Sequence, residues 1–215
     1  MTPREPAPRP VVIGLAGAVG AGKSLAAEAL ERRGCLVINA DQLVHEMLKD
    51  DRVLQRIENE LGSGLTTRSG DLDRRALADR VFADPEARRR LESILHPPVI
   101  AECRDARARA RREGRPAAVI DAPLLFEAAL DDLCDLVIFI DAPIETRLER
   151  VRRDRGWTAE ELHRREHAQL PPDEKRRRSH AVVLNDGTAD QLDNRVRHIF
   201  DTLTTRANLD PRDGG

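Results

Sequence analysis

The feature that most constrains this chain is the run GAVGAGKS at residues 17–24, which matches the phosphate-loop pattern G-x-x-x-x-G-K-[ST] at every fixed position. Glycines let such a loop curl with its backbone N–H groups pointing inward, and the helix that follows adds the positive end of its dipole. An apolar run precedes the loop, and a helical pattern over residues 24–33 follows it. The pattern therefore predicts a nucleoside triphosphate site, with Lys23 at the outer phosphates and Ser24 at Mg²⁺.

Short β-branched apolar runs alternate with longer helical patterns, which is typical of βαβ units and a parallel sheet. Each apolar run is followed by polar, Gly or Pro residues, which mark the ends of strands. We therefore predict an α/β fold with a five-stranded parallel sheet. The predicted strands are Val11–Ala16, Cys35–Ala40, Ala117–Ala122, Leu136–Asp141 and Ala181–Asn185.

The interval between the second and third predicted strands is too long for a single crossover. Its pattern is helical almost throughout, at residues 42–49, 51–61, 73–81 and 85–113. We predict that residues 41–115 form a helical insertion that carries the second substrate. The core would then consist of residues 11–40 and 116–204, and the two ends, 1–10 and 205–215, would be flexible tails.

Three acidic residues lie at the ends of predicted strands, where the catalytic groups of open parallel sheets gather. Phosphoryl transfer needs a carboxylate that accepts the proton of the acceptor hydroxyl, and Asp41 is our candidate for this base. Asp121 is a candidate ligand of Mg²⁺, although an ordinary turn residue at a strand end fits its position equally well. Asp141 precedes Ala142-Pro143, and the turn interpretation is favoured there.

Arginines recur every three residues at Arg147, Arg150 and Arg153, which predicts that they share one helix face. Gly156 then ends that helix and Thr158 can cap the next. We interpret residues of about 150–178 as a lid segment whose arginines neutralise charge on the transferred phosphoryl group and whose closure excludes water. Solvated helices with charge pairs four residues apart are the alternative.

Composition and charge exclude several other classes of protein. The net charge of −2 is unlike that of a dedicated nucleic-acid binder, and no apolar run is long enough to span a membrane. Cys35, Cys103 and Cys134 have no metal-binding or disulfide spacing, which favours a reducing cytoplasm. Residues 163–167 match a zinc-peptidase pattern, H-x-x-E-H, but are charged nearly all round, so we reject a zinc site. The arginine-rich run at 104–115 is interpreted as a solvated helix face rather than an anion site.

A series of further segments occurs in a fixed order along the chain. These are NAD at 39–41 followed by His45, LDR at 72–74, VFAD at 81–84, LESILHP at 91–97 and PLLFE at 123–127. Arg150 with Arg153, Arg165 with Gln169, and Asn185 with Gly187 continue the series. Together with the phosphate loop, they resemble the motifs of the dephospho-coenzyme A kinase family over nearly the whole chain.

The resemblance implies a P-loop kinase fold with helices on both faces of the sheet, a helical coenzyme A-binding region and an arginine-bearing lid. It implies transfer of the ATP γ-phosphoryl group to the ribose 3′-hydroxyl of dephospho-coenzyme A with Mg²⁺. Our own expectation for the assembly is a monomer or weak homo-oligomer. The implied catalytic residues are Asp41, Lys23 and Arg150, and the implied metal ligands are Ser24 and Asp121. The implied ATP-binding residues are Gly17, Ala18, Val19, Gly20, Ala21, Gly22, Lys23, Ser24, Leu25, Arg153 and Asn185. The implied acceptor-binding residues are Asp41, His45, Arg74, His96, Pro123, Leu124, Leu125, Phe126 and Glu127. For His96, an alternative is that His96-Pro97 merely ends a helix.

The chain also departs from the family pattern. Ala16, Ala18 and Ala21 stand where Thr, Gly and Ser are usual, Leu25 stands where a Thr is usual, and Asn39 replaces the first Asp of D-A-D. Arg147 stands where Gln is common, and Ser179-His180 where Ala-Asp is common.

Other phosphate-loop proteins remain as alternatives. A GTPase switch would carry N-K-x-D, which residues 185–188 do not match, and the signature of a transport ATPase is absent from the sequence. A binding module without catalysis is disfavoured because Lys23, Ser24 and Asp41 are all present. A nucleoside or nucleotide kinase of the same architecture is the nearest rival.

Overall fold

The computed structural model describes residues 9–67 and 69–209, except for the side chains of residues 203 and 206–209. The chain divides into two compact units. Among the described residues, 9–38 and 103–209 form the first, which we call the sheet unit, and Asn39–Glu102 form the second, the helical unit. The helical unit therefore ends earlier than the predicted insertion, which extended to residue 115. The reason is that Cys103, Ala106 and Ala110 are buried within the sheet unit.

The sheet has five parallel strands flanked by helices, in the order β2-β3-β1-β4-β5, as the sequence predicted. Its strands are β1 (Val11–Gly17), β2 (Leu36–Asn39), β3 (Ala117–Asp121), β4 (Leu136–Asp141) and β5 (Ala181–Leu184). Every predicted strand end lies within one residue of the observed end. The central strand, β1, aligns Leu15 with Asp121 of β3 and with Ile138 of β4. This register brings the carboxyl ends of β1, β3 and β4 to one edge, next to the phosphate loop.

The helices, in chain order, are α1 (Lys23–Glu31), α2 (Ala40–Met47), α3 (Asp51–Leu61), α4 (Arg74–Ala83), α5 (Pro85–Arg112), α6 (Ile144–Arg155), α7 (Ala159–His167), α8 (Pro172–Arg178) and α9 (Ala189–Leu209). In the sheet unit, α1 packs against α9 and β3, while α8 packs against β1 and β4. The predicted lid segment, residues of about 150–178, contains the second half of α6 and all of α7 and α8. None of the helices in the described part of the chain is long and apolar enough to cross a membrane.

The sheet core follows from strands that are buried on both faces. Side chains of Ile13, Leu15, Ile120, Ile138 and Phe139 are at most 1% exposed, so β1, β3 and β4 read as continuous apolar runs. The edge strand β5 differs, because Val183 is buried while its two neighbours in the strand are exposed. Apolar burial on both faces stabilises the strands that support the phosphate loop.

The helical unit has its own apolar core, formed by α3, α4 and the first half of α5. Ile57 and Leu65 are fully buried there, and Leu61, Leu77 and Ile94 pack against them. Aspartate side chains begin two of these helices, since Asp50 accepts a hydrogen bond from the Arg52 N–H (2.8 Å) and Asp73 one from the Ala76 N–H (2.9 Å).

Helix α5 runs through Pro97 and Pro98, so the interpretation of His96-Pro97 as a helix end is wrong. Each proline lacks the N–H that would bond to the preceding turn. The flanking side chains of Leu95 and Val99 are buried, and their packing outweighs the lost hydrogen bonds.

The chain ends differ in part from the prediction. Helix α9 continues to Leu209, so residues 205–209 are helical and do not belong to a tail. The remaining parts of the two predicted tails, residues 1–8 and 210–215, lie outside the described residues.

Candidate active site

The phosphate loop joins the end of β1 to the start of α1. Gly20 and Gly22 have φ values of 78° and 92°, which only glycine adopts without strain, and a Cβ at Gly20 would lie 2.9 Å from Val151 Cγ1. The Ala21 N–H donates to the Ala18 carbonyl (3.0 Å), and the Ala18 N–H donates to Ile140 in β4 (3.3 Å). The sequence thus produces a fixed turn at a helix N-terminus, which is suited to bind phosphate groups.

Lys23 forms an ion pair with Asp121, the last residue of β3. Asp121 is only 2% exposed, and its position as the last residue of β3 fits both predicted alternatives, a ligand of Mg²⁺ and a residue that ends a strand. Register explains the contact, since Asp121 lies beside Leu15 of β1, two residues before the loop begins. A buried carboxylate and the Ser24 hydroxyl provide the hard oxygen ligands that Mg²⁺ prefers, so the residues fit this metal.

Asn185 and Arg150 fix the phosphate loop from the side of β5 and α6. Asn185 is buried, and its Nδ2 donates to the Ala21 carbonyl (2.7 Å). Arg150 donates to the Ala21 carbonyl (3.4 Å) and to the backbone and side-chain oxygens of Asn185 (3.2 Å each). Two residues predicted from distant motifs therefore meet at one carbonyl of the loop.

Arg153 does not join this group, although the sequence predicted that it shares a face with Arg147 and Arg150. Its side chain is 75% exposed and bonds to the neighbouring Asp154 (2.7 Å). The prediction of one common arginine face is therefore wrong for Arg153.

The PLLFE segment lies just beyond β3. Leu125 and Phe126 point into the core and are nearly fully buried, whereas Leu124 is half-buried. The Glu127 carboxylate accepts a hydrogen bond from the Leu170 N–H (2.8 Å) and forms an ion pair with Lys175 (3.0 Å). Two of the predicted acceptor-binding side chains thus have a packing role in this structure.

Asp141 has a structural role at the end of β4. Its carboxylate accepts a hydrogen bond from the Ala142 N–H (2.9 Å) and forms an ion pair with Arg176. These contacts agree with the turn interpretation.

In the helical unit, the structure brings together His45 of α2 and Arg74 of α4. Arg74 Nη2 lies 2.7 Å from His45 Nδ1. Because a guanidinium group can only donate hydrogen bonds, Nδ1 of His45 is the acceptor in this contact. Asp41 is exposed in the first turn of α2, and His96 is half-buried within α5.

Comparison with known proteins identifies the family. A model of the family described as dephospho-CoA kinase matches residues 11–191. The chain is 40% identical to a dephospho-CoA kinase of Anaeromyxobacter dehalogenans over 193 residues, which cover 89% of this chain and 92% of that protein. The chain belongs to the dephospho-CoA kinase family. The resemblance found in the sequence is thereby confirmed.

Solved structures agree with the fold of a dephospho-CoA kinase. A crystal structure of a protein from Thermus thermophilus has a TM-score of 0.76 and 33% identity, covering 91% of this chain and 98% of that one. A shikimate kinase from Acinetobacter baumannii, with a TM-score of 0.54, 16% identity and coverage of 92% and 94%, shares the fold alone. The predicted P-loop kinase fold is confirmed, and the chain is a kinase that uses ATP.

Two departures of this chain from the family pattern now have physical explanations. Asn39 is the N-cap of α2, where its side chain accepts a hydrogen bond from the Gln42 N–H (2.9 Å), and Asn caps a helix as well as Asp does. Arg147 is buried, donates to the carbonyls of Val19 (3.2 Å) and Ala142 (3.1 Å), and forms an ion pair with Glu166 of α7. Arg147 therefore connects the phosphate loop to the lid segment.

Sequence reasoning placed Arg147 on the predicted arginine face but did not predict its contacts, and it gave no role to Lys175. The three-residue spacing to Arg150 was a usable signal for Arg147. Lys175 lies among four consecutive basic residues, a pattern that does not reveal its burial.

The lid segment also contains Trp157, the single tryptophan of the chain. Two guanidinium groups lie over its ring, those of Arg155 at 4.7 Å and Arg165 at 4.1 Å from the ring centroid. These cation–π contacts join the end of α6 to α7.

Proposed function

We propose that this protein transfers the γ-phosphoryl group of ATP to the ribose 3′-hydroxyl of dephospho-coenzyme A, producing coenzyme A and ADP. The observation that carries the reaction type is the phosphate loop, where Lys23 meets the buried carboxylate of Asp121 and Arg150 meets the Ala21 carbonyl. The family match over residues 11–191 supports the choice of acceptor. A nucleoside or nucleotide kinase is not favoured, because the relatives span most of the chain and are dephospho-CoA kinases.

ATP binding is the task of the phosphate loop. Its backbone N–H groups and the N-terminus of α1 bind the phosphates, and Lys23 moves between Asp121 and the outer phosphate oxygens. Ser24 and Asp121 would hold Mg²⁺, which would supply positive charge that neutralises the phosphates. Arg150, already held beside the loop, adds positive charge where the phosphoryl group is transferred.

Acceptor activation is the task of Asp41. The acceptor oxygen attacks the γ-phosphorus, the bond to the ADP oxygen breaks, and the acceptor proton passes to the Asp41 carboxylate. The Asn39 cap orders the first turn of α2, which carries Asp41. His45, Arg74 and His96 contribute to acceptor binding, and the paired His45 and Arg74 present cationic and imidazole groups suited to the phosphates of the acceptor.

An ADP-release assay with a panel of acceptors tests this function. Dephospho-coenzyme A, adenosine, AMP and shikimate are compared at equal concentration, and phosphorus NMR identifies the phosphorylated position. We expect a strong preference for dephospho-coenzyme A and a new 3′-phosphate, whereas preference for AMP or shikimate would overturn the proposal. Lys23→Ala is the control, because lost phosphate positioning should lower ADP release about a hundred-fold or more with every acceptor.

A further inference from the structure

Lys175 of α8 is almost completely buried, with its side chain only 3% exposed. Its Nζ lies 3.0 Å from the Pro123 carbonyl, 3.0 Å from Glu127 Oε1 and 2.9 Å from Gln169 Oε1. Lysine is seldom buried unless it is paired, and here three acceptors match the three N–H groups of the ammonium. The charge is therefore fully satisfied at one fixed point.

The acceptors of Lys175 include both ends of one short loop. Pro123 is the first residue of the PLLFE segment and Glu127 is the last, so a single ammonium group joins the two. Glu127 also accepts from the Leu170 N–H (2.8 Å), which ties the same loop to the connection between α7 and α8. The span of residues 123–127 is thus fixed by contacts from α8 and the residues just before it.

A second cation of α8 holds the middle of this loop. Arg178, three residues after Lys175, lies over the Phe126 ring at 4.5 Å and bonds to Asp131 (2.8 Å). Residues three apart lie near each other on a helix surface, so Lys175 and Arg178 act from one face of α8. The ring of Phe126 is buried beneath this contact.

The loop fixed by α8 begins two residues after Asp121, the partner of Lys23. A shift of the loop would therefore move acceptor-binding atoms relative to the phosphate loop, and small displacements are costly in a group-transfer reaction. We propose that Lys175 is a positioning residue for the acceptor, which acts through residues 123–127 and touches neither the acceptor nor ATP. This inference rests on the proposed function in one respect, namely that residues 123–127 bind the acceptor.

The test compares Lys175→Met with wild type in steady-state kinetics and amide hydrogen exchange. Methionine keeps the length of the side chain and removes the ammonium. We expect kcat/KM for the acceptor to fall about ten- to a hundred-fold, mainly through KM, while KM for ATP changes less than about two-fold. Faster exchange is expected at the Ala128, Ala129 and Leu130 amides, which donate to carbonyls of the loop (2.9, 3.2 and 2.9 Å).

Arg112→Met is the control, because this cation of the sheet unit lies outside the lid segment, is 62% exposed and pairs with Asp105 on its own helix. It should leave both KM values and the loop exchange unchanged. Should Lys175→Met fail to fold, Arg178→Met replaces it. We then expect kcat/KM for the acceptor to fall and loop exchange to rise, both by less than expected for Lys175→Met.

An equal rise of both KM values, or faster exchange throughout the sheet unit, would indicate a merely structural role and overturn the proposal. An unchanged KM for the acceptor, or unchanged hydrogen exchange at the amides bonded to the loop, would also overturn it. The exchange arm needs no acceptor, and the kinetic arm uses whichever acceptor the panel identifies. Failure of wild type to phosphorylate dephospho-coenzyme A therefore counts only against the proposed function.

Discussion

In the sheet unit several of the predicted site residues are buried and bonded to the phosphate loop, whereas in the helical unit the predicted site residues lie mostly at the surface. Asp121 and Asn185 are each 2% exposed, and both contact the phosphate loop. Asp41, His45 and Arg74 are all exposed. Burial and bonding arrange the nucleotide site before a ligand arrives, which reduces the ordering cost of ATP binding. If the proposed acceptor-binding residues of the helical unit do bind the acceptor, their ordering cost is met at that step.

The largest effect on turnover is expected from substitution of Asp41, the exposed residue proposed as the base. Asp41→Asn is expected to lower turnover by roughly two to four orders of magnitude, because the amide cannot accept the proton of the acceptor hydroxyl. ATP affinity, measured by calorimetry, should stay unchanged, since ATP binding is the task of the sheet unit. Near-normal turnover would remove Asp41 from its proposed role, and a parallel loss of ATP affinity would break the division between the two units.

A smaller effect on activity is expected from substitution of Arg150, which bonds to the phosphate loop and to the buried Asn185. Arg150→Ala should lower kcat/KM for ATP roughly ten- to a hundred-fold, because it removes charge-assisted hydrogen bonds at the phosphate loop. Arg153→Ala is the matched control, since Arg153 contacts only its exposed neighbour Asp154 among the bonds described above. If both variants lost activity equally, the distinction between the inward and outward arginines of α6 would be wrong.

Loss of the Asn39 cap of α2 should lower the stability of the protein more than its turnover. Asn39→Ala is expected to lower the free energy of unfolding by about 1 kcal/mol, because the Gln42 N–H loses its acceptor. Asn39→Asp keeps an acceptor at the cap and should unfold at the same urea concentration as wild type. A large loss of turnover in Asn39→Asp would mean that the position serves the reaction rather than the helix.

The smallest effect on activity is expected from treatment with thiol reagents. Such reagents report on the sheet unit alone, because residues 39–102, which form the helical unit, contain no cysteine. Burial raises the pKa of the Cys35 thiol to about 11 and that of the Cys134 thiol to about 12. Raised pKa values leave little thiolate at neutral pH, so alkylation should be at least about a hundred-fold slower than for an exposed thiol. Peptide mapping after iodoacetamide treatment, with and without urea, measures this protection, and rapid labelling of the native protein would contradict it.

The sequence was most informative where one physical cause dominates. Strands buried on both faces must be continuous apolar runs, so β1, β3 and β4 could be located within a residue. The phosphate loop was equally clear because its glycines are required by backbone conformation. Local rules failed where distant packing decides the outcome, as at Pro97, where the helix continues because its neighbours are buried.

The arginines of α6 show a second kind of limit. At 3.6 residues per turn, positions three apart differ by about 60° around the helix, and positions six apart by about 120°. Arg147 and Arg150 can therefore point toward the phosphate loop while Arg153 points to solvent. Periodicity alone also could not distinguish Lys175 from its exposed basic neighbours, because its burial depends on a loop about fifty residues earlier in the chain.

The contacts of Arg155 and Arg165 with the ring of Trp157 have a practical consequence. Because the chain contains no other tryptophan, its intrinsic fluorescence comes from one ring within the lid segment. Separation of either guanidinium from that ring would alter the emission. The protein thus carries a native optical reporter, with which movement of α6 and α7 can be followed in stopped-flow experiments without an attached dye.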